Sequence, residues 1–253
     1  MKMARKVTII TGAGSGIGRE TALLFAREGA KVVVVDIDMP EGSKTVELIK
    51  KNDGEAILVR TDVTNSTDVQ KMVKTTVGTF DRLDILVNVA GIFTGGNIVE
   101  TTEVEWNSIL GVNLWGIFLC MKYSIPEMMK GGGGVIVNIA SEAGLVGIPN
   151  QVAYNVSKSG VVALTKSTAV DFAEKNIRVN CLCPGRTMTP LVQEVIRNSK
   201  DPDETRRILS EDRPLKRMGK PEEIAAGILF LSSEEASYAI GSILSIDGGY
   251  TAW

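Results

Sequence analysis

Tyr154 and Lys158 stand four residues apart, and Ser141 precedes the tyrosine by thirteen. On a helix, that spacing stacks a phenol and an ammonium on one face, about one turn apart. The positive charge would favour the phenolate and draw the tyrosine down from ~10 toward the range of a general acid/base. A serine hydroxyl arriving from a preceding strand end would orient a substrate oxygen against that phenol. The same pair also describes a solvated tyrosine beside a surface lysine, so the surrounding elements have to decide.

Composition narrows the chemistry. The 253 residues include no histidine. That removes Ser-His-Asp and Cys-His catalysis and argues against catalytic zinc; no metal is expected. Acid/base work is left to tyrosine, lysine or carboxylates. Cys181 and Cys183 would share one face of a strand and, with Cys120, read as buried, inert thiols in a reducing compartment. A net charge of −2 gives no reason to expect nucleic acid or an anionic membrane as partner. The apolar run 7–10 behind the basic start is too short for a signal peptide, and no stretch reads as the ~18 apolar residues of a span. A cytoplasmic protein with a small-molecule substrate is the expectation.

Residues 7–10 read as a buried parallel strand, followed at once by Thr11-Gly12-Ala13-Gly14-Ser15-Gly16-Ile17-Gly18. A helix over 20–28 and a strand over 31–35 come next. Strand, glycine loop, helix and strand together are the context that points to a dinucleotide. Gly12, Gly16 and Gly18 let the backbone turn tightly and let a pyrophosphate approach the helix N-terminus, where the dipole favours an anion. No Lys-Ser or Lys-Thr follows, as a mononucleotide loop requires. Asp36 closes the second strand. Its carboxylate can accept both ribose hydroxyls and would repel a 2′-phosphate, and no arginine or lysine stands inside the glycine loop or just after Asp36. NAD is therefore expected over NADP.

Further strands are expected over 56–59, 83–87, 135–139, 177–182 and 242–246. Helices are expected over 41–52, 66–77, 103–129, from the Tyr154 region to 175, and over 222–231. Six βα units and a terminal strand predict an α/β fold. It is a single doubly wound (Rossmann) domain over 1–253, with a seven-stranded, mostly parallel sheet and helices on both faces. Ligands then sit at strand carboxyl ends. Gly12 to Gly18, Asp36, Asp62-Val63, Asn88-Val89-Ala90-Gly91, Ser141 and Pro184-Gly185 all fall there. Asp62 is placed either to meet an adenine amino group or to cap the next helix. Asn113 interrupts the apolar face of Ile109 and Ile117, so it fixes a water or holds a backbone group. The polar segment 186–217 reads as a substrate lid. Its Arg197, Lys200, Arg206 and Arg207 read as a solvated helix face more readily than as a site for an anion.

Taken together, the chain resembles the short-chain dehydrogenase/reductase family in its compact single-domain branch. The resemblance rests on Thr11-Gly12-x-x-x-Gly16-x-Gly18, Asn88-x-Ala90-Gly91, Asn113, Ser141, Tyr154-x-x-x-Lys158 and Pro184-Gly185-x-x-x-Thr189. It implies catalytic roles for four residues. Tyr154 moves the hydroxyl proton and Ser141 holds the substrate oxygen. Lys158 lowers the tyrosine and binds the nicotinamide ribose, and Asn113 holds a relay water. It further implies that Pro184, Gly185, Thr187 and Thr189 cover the nicotinamide, that Ser15 and Ile17 join the phosphate loop, and that the protein is a homotetramer.

Val89 and Glu142 depart from the family pattern. Glu142 and Gln151 beside the site suggest a polar substrate, hence an NAD-dependent dehydrogenase of a polyol, sugar or other secondary alcohol. The competing reading is a 3-oxoacyl-[acyl carrier protein] reductase, opposed by Ser15, Asp36 and the glycines 131–134. A non-catalytic NAD-binding sensor or scaffold is the alternative of another class, opposed by the retention of both Tyr154 and Lys158.

Overall fold

The computed structural model describes residues 1–252 and contains one sheet in the order β3-β2-β1-β4-β5-β6-β7, parallel throughout. The strands are β1 (Val7–Thr11), β2 (Lys31–Asp36), β3 (Glu55–Arg60), β4 (Ile85–Asn88), β5 (Gly134–Ile139), β6 (Ile177–Pro184) and β7 (Ile243–Ile246). The helices are α1 (Gly16–Arg27), α2 (Met39–Lys51), α3 (Ser66–Phe80), α4 (Glu103–Leu110), α5 (Gly116–Lys130), α6 (Val152–Phe172), α7 (Pro190–Arg197), α8 (Pro202–Glu211) and α9 (Pro221–Ser232).

Side chains alternate across each strand and feed two apolar layers. Val7, Ile9, Val33 and Val35 pack with Val69 of α3, Ile125 of α5 and Val161 of α6. Ile10, Val32 and Val34 pack with Phe25 of α1, Ile49 of α2 and Ile228 of α9. The uninterrupted valines of β2 are thus apolar because both faces are covered.

One transverse row of the sheet runs Val59, Val35, Thr11, Asn88, Asn138, Cys181, Ile243. Its centre is polar and buried. Asn88 Nδ2 donates to Asn138 Oδ1 at 2.8 Å, and Asn138 Nδ2 donates to Thr165 Oγ1 of α6 at 3.0 Å. Thr11 Oγ1 accepts from the backbone N–H groups of Val89 and Ala90. These bonds tie β1, β4, β5 and α6 together where the strand order reverses, which is where doubly wound sheets open a crevice.

The helix expected over 103–129 is α4, a π turn at Gly111–Trp115, and α5. By length and composition the 28 residues Glu103–Lys130 would suffice to cross a bilayer, against the reading of the sequence, yet half of the apolar stretch is buried inside the protein. Leu119, Met121, Ile125 and Met128 fill the core beside β4 and β5. The segment 186–217 holds α7 and α8 over a small cluster of Ile196, Leu209 and Met218. Arg207 there is exposed and paired with Glu204 and Glu211, so its charge is already spent on its own helix.

Asn138→Ala would strip the Asn88 amide of its acceptor and Thr165 of a donor inside the sheet. We expect a loss of about 1–3 kcal/mol for each group left unpaired, read from urea unfolding midpoints. An unchanged midpoint would mean that the polar row contributes nothing to cohesion.

Candidate active site

The carboxyl edge of the sheet carries a cleft of 540 Å³ that runs from the glycine loop to α6, α7 and α8. At one end, Gly12 and Gly16 take φ of 65° and 50°, which side-chain-bearing residues rarely adopt. A Cβ on Gly12 would stand 2.9 Å from Ala90 Cα, and one on Gly18 would overlap the Gly12 carbonyl. Ser15 to Gly18 line the cleft, and α1 begins there without a side-chain cap. By contrast, α2, α3, α4, α7 and α8 begin under Asp38, Asn65, Thr102, Thr189 and Asp201. The first-turn amides of α1 are therefore open to an anion.

Asp36 borders the same end. Its Oδ2 accepts from Gly14 N at 2.8 Å and its Oδ1 from Asp38 N at 3.0 Å, which fixes the carboxylate at the rim. Asp62 and Val63 line the cleft from the end of β3. Asp62 does not cap α3: Asn65 does, while Asp62 Oδ1 accepts from Thr64. Ala90, Gly91, Pro184, Gly185, Thr187 and Thr189 also line the cleft. Asn88, expected among the cofactor contacts, does not. It points into the sheet because Asn138 takes its amide.

At the other end stand Ser141, Tyr154 and Lys158. Ser141 caps the short 3-10 turn Glu142–Gly144, its Oγ accepting from Ala143 N. Tyr154 lies in the first turn of α6, partly open to the cleft, with its ring edge-on to Phe93 at 5.2 Å. Lys158 is buried, and its Nζ donates to the Ile139 carbonyl at 2.9 Å, 5.6 Å from the tyrosine ring centre. Burial pushes Lys158 down to about 8 and the Tyr154 phenol up to about 12. The Ser141 hydroxyl opposes the rise of the phenol and the Glu142 carboxylate adds to it. The expected lowering of the tyrosine is corrected here: desolvation is the largest influence on the phenol, and the lysine ammonium is bonded to a strand carbonyl.

Asn113 sits in the π turn and does not face the cleft. Its Oδ1 accepts from Ile92 N at 2.9 Å, and its Nδ2 donates to Ile92 O and to Ser157 Oγ. Of the two roles left open by the sequence, the backbone one is realised. Gly91 has no side chain here to collide with it, since a Cβ would lie 3.2 Å from Asn113 Oδ1.

The substrate wall adds a partner that the sequence did not suggest. Glu142 lines the cleft but is 3% exposed, and Arg213 holds its carboxylate at 3.1 Å. Burial raises Glu142 above the usual carboxylate range, against the pull of Arg213. Beyond Ser141 and Tyr154 the wall is Phe93, Ile148, Leu191, Val192, Val195 and Leu209, with Glu142, Gln151 and Arg186 as polar exceptions.

A family model described as enoyl-(acyl carrier protein) reductase matches residues 12–251. The chain belongs to the short-chain dehydrogenase/reductase family. It is 49% identical over 252 residues to an uncharacterized oxidoreductase of Thermotoga maritima, covering all of both chains. It is 40% identical to a cyclohexanol dehydrogenase of an Acinetobacter species, with 99% of this chain and 97% of the relative covered. The crystal structure of levodione reductase superposes with a TM-score of 0.96 at 35% identity, covering 99% of each chain. As an oxidoreductase of this family, the protein binds a nicotinamide nucleotide, and the open α1 terminus and the glycine cradle fit one.

Sequence reasoning missed three participants. Gly14 is needed beside Asp36, since a Cβ there would lie 2.7 Å from Oδ2. Arg19 folds back onto the Gly14 carbonyl, but Glu41 takes its charge at 2.7 Å. Phe93 follows the Asn88–Gly91 motif directly, and its aromatic character was the available signal.

Lys158 titrates near 8 in the fold against an ordinary 10.5. Between those values the unfolded chain holds the extra proton, so this group makes stability rise with pH. Lys158→Met is expected to flatten that rise between pH 8 and 10 in urea unfolding. An identical slope in both proteins would show an unperturbed ammonium.

Proposed function

We propose that the protein is an NAD-dependent dehydrogenase acting on secondary alcohols of apolar, ring-sized bodies. The observation that carries this reading is one cleft bordered by Asp36 at one end and by Ser141, Tyr154 and Lys158 at the other. The apolar wall and the cyclohexanol dehydrogenase relative favour a cyclic alcohol over the polyol or sugar suggested by Glu142.

The bound nicotinamide supplies the hydride acceptor. Ser141 Oγ donates to the substrate oxygen and holds it against Tyr154, and the phenolate takes the hydroxyl proton. Lys158 and the α1 amides hold the ribose and the pyrophosphate. Asn113 acts from behind by fixing the Gly91–Ile92 wall. Asp36 accepts the adenosine ribose hydroxyls and disfavours a 2′-phosphate. Oxidation draws on the phenolate and reduction on the phenol, so rising pH favours oxidation. A homotetramer, carried by the family resemblance, and a cytoplasmic location, carried by the short apolar start of the sequence, complete the proposal. The acyl-carrier reading suggested by the family model's description is opposed by Ser15 and Asp36 at the adenosine end.

The test is NADH formation with cyclohexanol, cyclopentanol, sorbitol and glucose, and NADPH oxidation with an acetoacetyl thioester. Turnover confined to the cyclic alcohols with NAD is expected; preference for sugars or the thioester would overturn the substrate class. Tyr154→Phe is expected to cut turnover by about 100-fold or more with NADH binding retained, and activity surviving that change would remove the tyrosine from proton transfer. Asp36→Ala is expected to erode discrimination against NADP, measured as the ratio of kcat/KM for the two cofactors.

A further inference from the structure

The Glu142–Arg213 pair joins residues 71 apart in sequence. Arg213 is 1% exposed. Its Nη1 and Nη2 donate to Glu142 Oε2 and Oε1 at 3.1 and 3.4 Å. Nη1 also donates to the Asp247 carbonyl at 3.2 Å, and Nε donates to Asp212 Oδ1 at 3.0 Å. The guanidinium lies 5.3 Å from the Tyr250 ring centre. Asp212 Oδ2 in turn accepts from Arg186 Nε at 3.0 Å. Glu142, Arg213, Asp212 and Arg186 therefore form a chain of alternating charge.

That chain has a defined place. Glu142 follows Ser141 on the turn after β5. Arg186 opens the segment that carries α7 and α8, and Asp212-Arg213 follow α8. Both ends of the segment are thus fastened beside the serine. Gly185 lies flat over the pair, because a Cβ there would be 2.6 Å from Arg213 Nη1 and 2.8 Å from Glu142 Oε2. A buried ion pair adds little stability over an apolar pair of the same volume, whereas removing one member strands a charge. Its use here is orientation.

We propose that Glu142 and Arg213 are positioning residues for the reaction: they lock the Ser141 turn and anchor both ends of the α7–α8 segment over the cleft. The proposal rests on the alcohol dehydrogenase reading above. The charged groups around Glu142 are Arg213, Asp212 and Arg186, with the Tyr154 phenol across the cleft. Tyr154 faces Lys158 on its own helix and Glu142 on the turn. Removing Arg213 exposes the phenolate to an unbalanced carboxylate; removing the Glu142 charge relieves it.

The test uses Glu142→Gln, Arg213→Met, Arg213→Lys and the double variant Glu142→Gln/Arg213→Met in the full chain. In Arg213→Met we expect kcat for cyclohexanol oxidation to fall roughly tenfold or more and the alkaline rise of kcat to move to higher pH. In Glu142→Gln that rise is expected to move to lower pH. Arg213→Lys is expected to recover part of kcat, and NADH affinity to stay near wild type in all four. Opposite pH shifts are not produced by loss of packing alone. Hydrogen exchange measured in parallel is expected to quicken over residues 186–213 and 141–150 in the single variants, with β1 to β5 unchanged. Exchange reads the anchoring even if wild type turns over no alcohol, so failure of the alcohol reading is seen separately. Unchanged exchange in both segments would overturn the proposal. So would pH shifts of one sign, or full wild-type kcat in the double variant.

Discussion

Seven strands run in one direction, so all their carboxyl ends lie on one edge of the sheet. Everything that lines the cleft is delivered by that constraint. A parallel sheet buried on both faces has no solvent side on which to satisfy polar side chains. The Thr11, Asn88 and Asn138 row answers most of this by pairing its groups with one another, with loop amides and with Thr165, leaving Asn88 Oδ1 without a protein partner. The row lies one residue or two short of the cleft floor, and it binds the strands that carry the glycine loop, the Ala90-Gly91 wall and Ser141. A loose sheet centre would move these three groups independently.

The architecture and the glycine-loop end of the cleft were legible because their signals are local. Glycine spacing, apolar runs and an acidic residue at a strand end each occupy a few consecutive positions. Even so, α1 begins at Gly16 and not near residue 20, because glycines that look like loop form the first turn of a helix. Asp62 and Asn65 are both good caps by composition, and only the fold shows that Asn65 reaches the α3 amides. Asn113 announced itself as a polar break in an apolar face, but periodicity of 3.6 has no means of announcing a π turn.

What the sequence could not supply is pairing at a distance. Nothing near Glu142 points to a guanidinium 71 residues later, so its ion pair was not foreseen. Likewise, four-residue spacing brings Lys158 onto the face of Tyr154 but does not say that its Nζ gives one of its three donors to the Ile139 carbonyl. Periodicity fixes which face a side chain leaves from; the last few ångströms of a flexible lysine belong to tertiary structure.

Those ångströms decide the electrostatics of the site. Burial pushes the phenol up and the ammonium down, so without ligand the tyrosine is a stored proton and the lysine a weakened cation. In that state the phenol is a proton donor. To take a proton instead, it needs a positive charge admitted within ~4–6 Å of the phenol, where opposite charge favours the ionised form. Glu142 opposes that ionisation unless something balances it, and Arg213 is the group in contact with its carboxylate. Proton affinity at Tyr154 is therefore set by a balance among burial, the Ser141 hydroxyl and the Glu142 carboxylate, and the fold holds all three within one corner of the cleft.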